Sequence, residues 1–73
     1  MRASSELSPR ERTVLALMFD GLSVKASAEA LGLAPPTVKN AREKICQKFG
    51  VRGAVLACRR GIELGYLEVK REV

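Results

Sequence analysis

Between Val38 and Phe49 the sequence interleaves Lys39, Asn40, Glu43, Lys44 and Gln47 with Val38, Ala41, Arg42, Ile45 and Phe49. At 100° per residue the first five side chains gather on one face of a helix and the second five on the other. The polar face carries ammonium donors, amides that donate and accept, and a carboxylate that only accepts. That is the chemistry of recognition by hydrogen bonds. Catalysis fits poorly, because the chain has no histidine, the commonest general base, and Cys46 and Cys58 are its only cysteines. The same count removes most zinc-site spacings. Both cysteines fall at or near apolar helix faces, where a free thiol behaves as a small buried hydrophobe. No catalytic residue, metal ligand or cofactor is expected, and the chain is not read as an enzyme.

The polar face needs a scaffold, and the scaffold is punctuated by glycines. Gly21, Gly32, Gly50 and Gly65 are each followed by an apolar residue, Leu22, Leu33, Val51 and Tyr66. Glycine at C′ with an apolar residue at C″ marks a helix ending in a Schellman turn, so four stops imply four helices. The first starts at Ser8, with Pro9 at the first helical position and Glu11 completing a capping box, and runs to about Asp20. Val14, Leu15, Leu17 and Met18 should face inward. The second runs from a Ser23 cap to Leu31 and turns Ala28 and Leu31 to the core. The third runs from Pro35 or Pro36 to Phe49, and the fourth from about Gly53 to Leu64. On the fourth, Ala54, Cys58, Gly61 and Ile62 form the expected inner stripe, with Leu56 about 160° away among Arg59, Arg60 and Glu63. No strand alternation or repeat interrupts this pattern. The expected fold is all-α: a compact four-helix domain spanning 7–67, between a flexible segment 1–6 and a polar tail 68–73. A chain of 73 residues is one domain, and one that short buries only about 60% of its unfolded surface.

Only Gly32, Leu33 and Ala34 separate the second and third helices. A helix pair joined by three or four residues containing Gly has the spacing of an ordinary helical hairpin in a small bundle and equally that of a helix-turn-helix, whose second member enters the DNA major groove. Charge agrees. From Thr37 to Arg60 seven Lys and Arg face Glu43 alone, a net +6, whereas the rest of the chain sums to −1 within a total of +5. A basic segment in a near-neutral domain fits a polyanion. No apolar run reaches the roughly 20 residues of a membrane span, and "MRASSELS" lacks the apolar core of a secretory signal, so cytoplasm is the expected location.

Four blocks at their joint spacing resemble a known family: "LSPRERTVLAL" (7–17), "GLSVKASAEALGLAPPTVKN" (21–40), "KFGV" (48–51) and "ELGYL" (63–67). The chain resembles the LuxR-type, GerE-like helix-turn-helix domain of bacterial transcription regulators. The resemblance implies double-stranded DNA as partner, the third helix as the recognition helix, and a dimer contact on the fourth. It places base contacts at Lys39, Asn40 and Glu43 and phosphate contacts at Thr37 and neighbouring basic residues, taken here as Lys25, Lys44, Lys48 and Arg52. It implies a homodimer through Leu56, Arg59, Arg60 and Glu63, hence an inverted-repeat site. Ala26 and Ser27 stand where the family usually has Glu and Ile, Ala34 replaces the usual Ser cap, and Ala41 replaces a common His.

The chemistry of each contact follows from side-chain type. Lys39 reaches guanine O6 or N7 and Asn40 pairs with adenine, each discriminating by about 1 to 3 kcal/mol. Glu43 accepts from cytosine N4 or pairs with Lys39 or Lys44 along the helix. Pro35 and Pro36 have no N–H, which leaves Thr37 and Val38 as the first amide donors. Arg42, at the margin of the apolar face, is expected to pair with Glu11 or Glu29. Met1 and six residues precede the capping box, which leaves open a sensorless regulator or the effector domain of a longer one. The rival reading is a helical protein-binding module that contacts another regulator or RNA polymerase without specific DNA readout. That rival depends on Leu56 and is indifferent to Lys39 and Asn40.

Overall fold

The computed structural model describes residues 6–68, so most of the expected N-terminal segment 1–6 and C-terminal tail 68–73 lies outside the described residues. Four helices follow one another: α1 (Pro9–Phe19), α2 (Val24–Leu31), α3 (Pro35–Phe49) and α4 (Ala54–Glu63). Their starts are chemical. The Ser8 hydroxyl accepts from the Glu11 N–H at 3.2 Å while the Ser8 N–H donates to Glu11 Oε1 at 2.9 Å, a closed capping box. Ser23 accepts from the Ala26 N–H at 3.1 Å. Ala34 sits in the same extended conformation, φ −76° and ψ 144°, but has no side chain to cap with, and prolines at the first two positions set the first turn of α3 instead.

Their ends share one device. The amides of Leu22, Leu33, Val51 and Tyr66 donate back five residues, to Leu17, Ala28, Cys46 and Gly61, at 2.8–3.0 Å. At the turn between α2 and α3 this requires Gly32 at φ +68°, a left-handed conformation that costs a side-chain-bearing residue about 1 kcal/mol or more.

Helix α3 is central, packed on α1, α2 and α4, and α1 also touches α2 and α4. Val38, Ala41, Ile45 and Phe49 meet Val14, Leu15 and Met18 of α1, Ala28 of α2 and Ala57 of α4 in the core. Leu17 and Leu31, expected inside, are half-buried. The two ends of the described segment are drawn together: Leu7 N–H donates to the Tyr66 hydroxyl at 3.1 Å. The Tyr66 ring stacks on Phe49 at 6.0 Å, and the Arg12 guanidinium lies 5.1 Å from the Tyr66 ring centre.

The inner stripe of α4 differs from the expected one. Ala57 and Gly61 are buried, Ala54 and Cys58 are half-buried, and Ile62 is exposed. Size explains the rotation. A Cβ on Gly61 would lie 2.9 Å from Leu15 Cδ2 and 3.1 Å from Leu67 Cδ1. Only the smallest residues fit where α4 crosses α1, so Ile62 turns outward despite its hydrophobicity.

Candidate nucleic-acid interface

The outer surface of α3 is built from the residues that the periodicity placed there. Lys39, Asn40, Glu43, Lys44 and Gln47 are all exposed. Among the described residues none of these five side chains makes a hydrogen bond or an ion pair, so the alternative pairing of Glu43 with Lys39 or Lys44 does not form. Among the described residues the strip's donors and acceptors are unpaired.

The N-terminus of α3 contributes less than a helix N-terminus usually does. Pro35 and Pro36 carry no N–H, and the Thr37 and Val38 amides both donate to the Ala34 carbonyl, at 2.9 and 3.3 Å. The free amide donors usual at a helix N-terminus are therefore missing from that turn.

A cleft borders the strip on either side. One, of 520 Å³, runs between Lys39, Glu43 and Gln47 of α3 and Val51–Ala54 at the start of α4, with Arg42, Cys46 and Arg52 in its wall. The other, of 330 Å³, lies between Thr37, Asn40 and Lys44 and the first turn of α1, where Ser8, Arg10 and Glu11 line it. Of the expected phosphate contacts, Arg52 lines the first cleft and Thr37 and Lys44 the second. Lys25 is exposed on α2, and neither cleft contains it.

Lys48 is engaged elsewhere. Its ammonium donates to Glu11 Oε1 at 2.7 Å and to the Glu6 carbonyl at 3.3 Å. This corrects the pairing expected for Arg42: Glu11 belongs to Lys48, and among the described residues Arg42 makes no ion pair with Glu11 or Glu29. Lys48 projects from the flank of α3 that Lys44 and Thr37 share, beside the start of α1, whereas Arg42 projects from the other flank. Burial raises the pKa of Glu11, but the Lys48 bond and charge and the Ser8 amide and hydroxyl outweigh it, and the carboxyl is held below its ordinary 4.5.

Both thiols are half-buried. The Cys46 thiol points at the Gly53 carbonyl, 3.9 Å away, and burial pushes the Cys58 thiol above its ordinary 9.0, against the opposing charge of Arg42. On α4 the expected dimer residues Leu56, Arg59, Arg60 and Glu63 are exposed, and Arg60 pairs with Glu63 at 3.0 Å. Val55 and Ile62 extend the exposed apolar surface, 82% and 36% accessible. Of these residues only Ile62 was expected to face inward.

The family model for bacterial regulatory proteins of the luxR family matches residues 5–60. The chain belongs to that family. It is also 39% identical over 64 residues to the transcriptional regulatory protein DegU of Brevibacillus brevis, a match covering 88% of this chain and 27% of that protein. The luxR-family assignment makes the domain a DNA-binding transcription-regulator module without enzymatic activity. Because the chain spans about a quarter of the relative's length, only the module is shared. No helix among the described residues is long and apolar enough to cross a membrane.

Proposed function

We propose that the chain regulates transcription by inserting α3 into the major groove of a specific DNA site. The observation that carries this reading is the outward strip of α3, whose hydrogen-bonding side chains have no partners in the described chain and follow a three-residue turn from α2. Lys39, Asn40 and Glu43 read base edges, with Glu43 accepting from cytosine N4 now that no lysine holds it. Thr37, Lys44, Arg52 and Lys25 contact phosphate. Lys48 anchors α1 to α3 and adds little to that set.

A single module of this size buries only about 600 to 1,000 Å² on DNA and binds weakly alone. Self-association through the exposed apolar side of α4, Leu56 with Val55 and Ile62, flanked by Arg59, Arg60 and Glu63, doubles the contact and fixes an inverted repeat. The protein then works in the cytoplasm, where the DNA is.

Selection of random duplex DNA by the purified chain at about 0.15 M salt, where nonspecific binding is only about 10⁻⁴ to 10⁻⁶ M, tests this directly. Enrichment of an inverted repeat supports dimeric readout. Retention of no sequence by the folded chain overturns the reading and leaves α3 and α4 as protein-binding surfaces.

A further inference from the structure

We propose that Arg10, on the first turn of α1, is a DNA phosphate contact that clamps one strand against α3. The inference rests on the reading of α3 as the groove-reading helix and adds a residue from outside the helix-turn-helix. The major groove is about 12 Å wide, and an α-helix with its side chains is about 10 to 12 Å across. A helix seated there has a phosphate backbone against each flank. One flank of α3 faces the cleft walled by Arg52; the other faces the 330 Å³ cleft that Arg10 shares with Thr37, Asn40 and Lys44.

The second cleft has the chemistry of an anion seat. Arg10 is exposed, and among the described residues its guanidinium has no hydrogen-bond or ion-pair partner; Lys44 opposite is in the same state. Two uncompensated cations bordering one cleft repel each other, and an anion between them removes that repulsion. Glu11, which also lines the cleft, does not supply the anion, because Lys48 and the Ser8 N–H already take its Oε1. The helix end is not the attractor either, since the Glu11 and Ser8 amides are used within the capping box. What remains is a guanidinium fork suited to phosphate, an ammonium, and the hydroxyl and amide of Thr37 and Asn40.

The test compares Arg10→Gln with Arg12→Gln, which removes the same charge from another side of α1. Each is titrated, alongside the parent and Asn40→Ala, on the selected operator and a random duplex over a range of salt, with circular dichroism to check folding. Loss of one phosphate contact lowers the slope of log K against log salt by about 0.9, and at 0.15 M salt this weakens binding about fivefold. Arg10→Gln is expected to show that loss equally on both duplexes, with Arg12→Gln matching the parent and Asn40→Ala losing operator preference. If Arg10→Gln keeps the parental slope, or Arg12→Gln lowers it as much, the clamp is overturned while operator preference and its loss in Asn40→Ala keep the groove reading intact. If the folded parent binds neither duplex, both fall together.

Discussion

Lys48 and Lys39 carry the same charge on the same helix and face different fates. Lys48 points at the start of α1 and is neutralised by Glu11 at 2.7 Å, whereas Lys39 is exposed on the outward strip. Lys39→Ala should therefore cost about 1 to 3 kcal/mol of operator affinity with the fold intact; equal binding and an equal dichroism spectrum would remove Lys39 from the base contacts. Glu11 belongs to stability. Its carboxyl is more acidic in the folded chain than its ordinary 4.5, so its contribution is complete above that value and fades as pH falls through the lower folded pKa. Chemical denaturation at stepped pH checks this: below about pH 4.5 the parent should lose stability more steeply than Glu11→Gln, and parallel curves would contradict the ion pair's role.

At the scale of elements, the starts and stops are local chemistry and were legible in the sequence. The Ser8–Glu11 box closes within one turn, and Ser8→Ala should lower stability by about 0.5 to 2 kcal/mol, read as the shift of a denaturation midpoint. A midpoint equal to the parent's would show that the 3.2 Å bond from the Glu11 amide adds nothing. Helix α3 reaches the same result differently, with two prolines where Ala34 offers no cap. The outcome is a rigid but amide-poor start.

Across the whole molecule, the closeness of α1 and α4 sets what each surface presents. Gly61 lets Leu15 and Leu67 meet over it, and Gly61→Val should destabilise by about 1 to 3 kcal/mol through overpacking, measured by thermal or denaturant unfolding. An unchanged midpoint would mean that α4 can move outward without loss. The same tight crossing turns Ile62 out beside Val55 and so enlarges the apolar surface proposed for self-association.

Helix number, boundaries, the three-residue turn and the outward face of α3 came from the sequence alone, because capping, glycine stops and a 3.6-residue period are interactions within a turn or two of chain. Three matters were settled only in three dimensions. Glu11 chose Lys48, 37 residues away, over Arg42; α4 chose Ala57 and Gly61 for its buried line on size; and Arg10 came to share a cleft with Lys44. Each depends on how closely two helices approach and on which flank they meet, and no local pattern encodes that distance.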